Sequence, residues 1–138
     1  MDKKVGIIFG LLILLAVSSL FFQGGSAIAG QFGEWEITTS FEIPGMPFAM
    51  PPSVVRQCLD EDAVPYQAQE NEKCETISKN ASGNSITWHV RCVSDDGPVE
   101  INGVTSYADD TMDSKVRMTG ARGDMSMHMT GKKSGPCK

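Results

Sequence analysis

The stretch from Cys74 to Cys92, CETISKNASGNSITWHVRC, constrains the fold of this chain more than any other. It reads as two strands folded about Gly83-Asn84, and its two cysteines stand equidistant from Gly83. An antiparallel hairpin centred there sets them opposite each other, which predicts a bridged hairpin. Four cysteines allow three connectivities, and pairing Cys74 with Cys92 leaves Cys58 for Cys137. On the chain-entropy view the first bridge contributes roughly 3 kcal/mol and the second, closing a much longer loop, about 4 to 5 kcal/mol. A metal site is the rival use of these residues. No pair is spaced C-x-x-C, and His89, three residues before Cys92, is the nearest histidine, so the spacing argues against zinc. Haem attachment needs C-x-x-C-H, which is absent.

Disulfides imply an exported domain, and the N-terminus agrees. Lys3 and Lys4 precede an almost wholly apolar run from Val5 to Phe22, and Ala27-Ile28-Ala29 has the small-x-small form of a cleavage site. Residues 1–29 are therefore expected to be a signal peptide, and 30–138 a single exported β domain, periplasmic or extracellular after cleavage near Ala29. The apolar run approaches the roughly 18 residues of an anchor, so membrane attachment is expected only if the segment stays uncleaved. Of 17 acidic and 12 basic side chains, the segment removes Asp2, Lys3 and Lys4, leaving 16 and 10 and a net charge of −6. An acidic surface repels phosphate, which excludes nucleic acid as the expected partner.

From Glu34 to Ile43 the chain alternates, with Trp35, Ile37, Phe41 and Ile43 on one side and Glu34, Glu36, Ser40 and Glu42 on the other. That is a half-buried strand. The four prolines of PGMPFAMPP, residues 44–52, then deny the chain ladder hydrogen bonds and predict a rim or lid. Val54 to Leu59 reads as a short strand. Asp60 can cap one helical turn through Ala63 and Val64, with Glu61 and Asp62 suited to its N-terminus and Pro65 ending it. A meander follows. Ile86, Trp88, Val90 and Cys92 share a face; Val99, Ile101, Thr105 and Tyr107 share the next, with a bulge or bend at Asn102-Gly103. Met112, Val116 and Met118 come third, and Met125, Met127 and Met129 fourth. Turns fall at Asp95-Asp96, Asp109-Asp110 and Gly120 to Gly123. The expected fold is all-β: a curled antiparallel meander or partly open small barrel of about six or seven strands, with one short helical turn and two disulfides. A one-faced sheet must curl or pair with a second copy, so a homodimer is the alternative.

GEWEITTSFEIPGMPFAMPP near the start of the domain, QCL at Gln57 to Leu59, the cysteine hairpin with Trp88 and Cys92, and the closing MSMHMTGKKSGPCK together resemble the bacterial exported family known as domain of unknown function 3617. The resemblance runs from Gly33 to Cys137. It implies a small secreted bacterial domain and supplies no activity, substrate or catalytic residue.

The methionines pose the sharpest chemical question. Met125, Met127 and Met129 recur on one strand face at spacings near ~7 Å, with Met112 and Met118 beside them and Met46 and Met50 around the proline segment. Thioethers are soft ligands, and Met125, Met127 and Met129 with His128 form a candidate Cu(I) set, although His128 points to the opposite face in a regular strand. The plainer reading is that methionine fills an irregular interior. Trp35, Phe41, Trp88, Tyr107, Met118, Met125, Met127 and Met129 are accordingly expected to line an apolar interior, either as core or as walls for a small apolar ligand. No resident cofactor or metal is expected on this reading, copper being the alternative.

Catalysis is not expected. His89 and His128 fall on solvent faces, G-x-S-x-G is absent, the cysteines are committed, and the paired aspartates sit where turns are needed. Arg122-Gly123-Asp124 matches the integrin tripeptide, but it occupies a hairpin turn, and Asn80-Ala81-Ser82 is a sequon in form only. The sequence thus points to a non-catalytic binding or structural module of a bacterial envelope, its partner a small apolar ligand or an envelope protein. The alternatives are a periplasmic Cu(I) protein and an interaction module working through a sheet edge.

Overall fold

The computed structural model describes residues 30–60 and 63–138, and residues 1–29, expected to be a signal peptide, lie outside them. Seven strands follow in chain order: β1 (Gly33–Glu42), β2 (Ser53–Leu59), β3 (Lys73–Ser82), β4 (Ser85–Ser94), β5 (Gly97–Ala108), β6 (Thr111–Gly120) and β7 (Gly123–Gly135). They form one antiparallel sheet in the order β2-β1-β7-β6-β5-β4-β3. From β3 to β7 this is the meander that the alternation predicts, and β1 returns to pair with β7. The sheet curls into a half-barrel whose two edge strands, β2 and β3, do not pair.

Inward-facing residues stack in rows across the sheet because the strands are in register. One row runs Phe41, Met127, Val116, Gly103 and Trp88. The next runs Met125, Met118, Ile101 and Val90. Such rows supply most of the core.

The bridged hairpin forms, by a route the symmetry did not foresee. Ser82 pairs with Ser85, so the two-residue turn is Gly83-Asn84 and the hairpin centre lies half a residue beyond Gly83. Gly83 takes φ 59°, a conformation glycine adopts without a Cβ penalty. Left uncorrected, that register would set Cys74 against Val93. A shift between Thr76 and Ser78 absorbs Ile77 as the extra residue, and Cys74 faces Cys92 again. The Cys74–Cys92 and Cys58–Cys137 disulfides are both formed, 18 and 79 residues apart in sequence.

Two expectations need correction. β5 is continuous and unbulged through Asn102-Gly103, every residue from Gly97 to Ser106 having its partner on β4. Gly103 is small for another reason, the ring of Trp88, which occupies the space its Cβ would need. No helix occurs among the described residues. Asp60 Oδ1 does accept the Ala63 N–H at 3.0 Å, but Glu61 and Asp62 lie outside the described residues and Ala63 continues as irregular chain.

That irregular chain closes the open side. Lys79 Nζ on β3 donates to Ala63 O at 2.8 Å, and Gln57 Nε2 on β2 donates to Val64 O at 3.0 Å, so the segment spans the two unpaired edges. Within it, Val64 and Pro65 are buried. The β3 edge presents Lys73, Glu75 and Lys79 and carries the Ile77 bulge, features that discourage a further strand from adding there.

Candidate functional site

The interior divides into a filled half and a hollow half. In the filled half Trp35 and Tyr107 meet edge to face with centroids 5.7 Å apart, and Lys133 Nζ lies 5.5 Å from the Trp35 ring. Trp35 Nε1 donates to Gln31 O at 2.9 Å. Trp88 Nε1 donates to Thr105 Oγ1 at 2.9 Å, and Thr105 Oγ1 is 2.8 Å from Ser114 Oγ, both hydroxyls being fully buried. Burial alone pushes the Tyr107 hydroxyl up to about 12, so it stays neutral. Trp35, Trp88 and Tyr107, three of the aromatics expected to line the interior, are therefore core residues, 0%, 1% and 3% exposed. None of them lines the cavity described next.

The hollow half is a cavity of about 460 Å³ at the end where β1 runs into the proline segment. Phe41, Met118, Met125, Met127 and Met129 form its sheet wall, with Val55 on the β2 side. Residues from Pro65 to Gln69 roof it, and Met50 stands at its lip. No charged side chain lines it; its polar groups are neutral hydroxyls and amides such as Thr39, Ser53 and Gln67. Gln57 is also in the wall, and while its Nε2 holds Val64, its buried Oε1 accepts no hydrogen bond. The roof is tied down by Glu72, whose carboxylate accepts from Tyr66 Oη at 3.0 Å and from the Gln69 N–H at 3.1 Å. Burial first, then the Glu72 charge, pushes the Tyr66 hydroxyl far above its ordinary value, so it remains a donor. A second, more polar hollow of about 400 Å³ lies beyond the roof and shares Gln69, Met118 and Met125 with the first.

Five of the residues expected to line the interior thus meet at one cavity. His128 does not join them. It lies on the outer face, its Nε2 2.6 Å from Asp113 Oδ2, so the copper set divides between two sides of the sheet, as strand parity demands. His89 is also outward, bonded to Glu100, which Arg91 Nε reaches at 2.6 Å. Arg91 first, and then His89, hold the Glu100 carboxyl below its ordinary value. A shallow depression of about 580 Å³ lies on this outer face. Two of its cations are engaged with carboxylates, Arg117 with Asp124 at 2.8 Å and His128 with Asp113. The tripeptide is likewise occupied, Arg122 reaching Asp96 at 2.6 Å. Glu72, Cys74 and Cys92 bring ligand-type atoms within 4.8 Å of one another, but the disulfide takes up both sulfurs.

Sequence reasoning missed the roof. Tyr66 in the polar run YQAQENE was its one visible signal, an aromatic ring in a loop that has no other need of it. Val55 and Gln57 escaped because a short strand beside prolines shows no clear face.

A family model described as a protein of unknown function (DUF3617) matches residues 30–137. No curated protein and no solved structure matches the chain.

Proposed function

The chain belongs to this family of unknown function, and we propose that it is a non-catalytic binding module that takes an uncharged apolar small molecule into the methionine-walled cavity. The cavity itself carries this reading: about 460 Å³, apolar walls, and no charged side chain to hold an ionic ligand. Methionine suits such a wall because its unbranched, polarisable side chain re-packs around different shapes. Two disulfides fit an oxidising compartment outside the cytoplasm. With the apolar N-terminal run, they support export to a bacterial periplasm or cell exterior after cleavage near Ala29.

All seven strands and both disulfides lie within residues 30–138, so the domain from Gly30 is the material to test. Titrated with the neutral probe N-phenyl-1-naphthylamine, it should show a single saturating site. Met125→Trp, which fills the cavity from its half-buried rim, should weaken that site about tenfold or more while leaving the thermal transition in place. Absence of saturable binding to the parent domain, or undiminished binding to the variant, sinks the reading.

A second reading rests on the same wall. Met118 is in register with Met125, and Met127 and Met129 follow Met125 at alternate positions along β7, an all-sulfur surface for Cu(I) that dispenses with His128. Changing Met125, Met127 and Met129 together to leucine separates the two, because leucine keeps the walls apolar and removes the sulfur. Anaerobic native mass spectrometry should show Cu(I) uptake abolished if copper is the ligand, whereas probe binding should survive if an apolar molecule is.

A further inference from the structure

We propose that the proline segment beside the cavity is a membrane-docking loop that seats its apolar tip in a zwitterionic lipid surface. From Ile43 to Val55 the chain carries no charged side chain, the nearest on either side being Glu42 and Arg56. Within that interval Phe48 is 79% exposed, Met46 51% and Val54 59%. A soluble surface rarely concentrates large apolar groups in this way unless something covers them.

The backbone sets how deep that cover can lie. Pro44, Pro47, Pro51 and Pro52 have no N–H. Met46 N–H is directed inward to Ile43 O at 3.2 Å. Gly45, Phe48, Ala49 and Met50 keep N–H groups with no backbone partner, so the backbone stays at headgroup level, where water still bonds it, and only the side chains of Met46 and Phe48 reach the acyl boundary. The charge pattern selects the lipid. The segment offers no cation for an anionic headgroup, and an acidic domain is repelled by such a surface, so attraction must come from apolar burial at a zwitterionic one.

Position supplies the purpose. Met50, 38% exposed, belongs both to this segment and to the cavity lip, so a docked tip opens the cavity towards the acyl layer. The proposal departs from the expectation that membrane contact needs the N-terminal segment. It also stands apart from cavity occupancy, since the tip can dock whether or not the cavity is filled.

The experiment is co-sedimentation of the 30–138 domain with phosphatidylcholine vesicles. The bound fraction should rise with lipid and be insensitive to added salt. The double change Met46→Ser with Phe48→Ser should lower partitioning about tenfold or more. Both positions are exposed, so circular dichroism melting should not move. The proposal is overturned if the parent domain does not bind, if the variant binds equally, or if binding requires anionic lipid and disappears with salt. It is also overturned if sedimentation velocity shows a dimer that the double change dissolves, which would make a second copy the cover. Probe titration of the same variant reports the cavity separately, because neither serine lines it.

Discussion

The benzo ring of Trp88 occupies the space that a side chain on Gly103 would need, and the two residues face each other in register across β4 and β5. The indole therefore lies over bare backbone at the middle of the sheet, which lets a side chain this large fit inside a narrow half-barrel. Gly103→Ala should cost about 1–3 kcal/mol, the range for overpacking a tight core. Urea unfolding would measure it. A change within about 0.5 kcal/mol would show that the ring moves aside freely.

The same indole begins a buried polar chain through Thr105 to Ser114. Thr105→Val keeps the shape and leaves the Trp88 N–H without an acceptor, so it should destabilise by about 1–3 kcal/mol. Thr105→Ser retains the hydroxyl and should cost less. Equal losses in the two variants would mean that packing, not the hydrogen bond, sets the effect.

The disulfides should differ in worth. Cys58–Cys137 closes a span of 79 residues and Cys74–Cys92 one of 18, so the chain-entropy model gives about 4.5 and about 3 kcal/mol. The first also fastens edge strand β2 to the chain just beyond β7. Paired Cys→Ala variants compared by denaturant unfolding should rank in that order; the reverse would show that the hairpin's register, and not the long loop, depends on its bridge.

Glu100 supplies a pH signature. Arg91 and then His89 hold its carboxyl below the ordinary value in the folded state. A depressed carboxyl contributes stability that is fully present above its unfolded pKa and is lost as pH falls through the folded one. Thermal transitions of the parent and Glu100→Gln should therefore differ at neutral pH and converge in acid. A gap that stays constant into acid would assign it to lost packing.

Much of the strand pattern was legible because one-sided burial imposes a period of two. Ile86 to Cys92 and Met112 to Met118 announce their inner faces, as do Trp35 and Ile37. Where a residue's role is set by something outside its own strand, the period is silent. Asn102-Gly103 has the form of a bend, and only the ring across the ladder explains the glycine. Ile77 has the apolar character of a packed residue, yet it is the 42% exposed bulge that restores the cysteine register.

The candidate site was half visible for the same reason. Met125, Met127 and Met129 share a face by parity, and parity also places His128 on the other. What the period cannot tell is which apolar residues fill the interior and which are left lining a hollow.

The sequence alone determined the strands, their inner faces, the pairing of the cysteines and the acidic character of the surface, because each follows from local spacing or from composition. Only the tertiary structure decided that β2 and β3 stay apart, that residues 63 to 66 span the gap, and that Trp35, Trp88 and Tyr107 pack solid while the methionines border a cavity. Those outcomes depend on how far a seven-stranded sheet curls and on what volume remains inside. Volume is a sum over residues distant in sequence, and no local pattern records it.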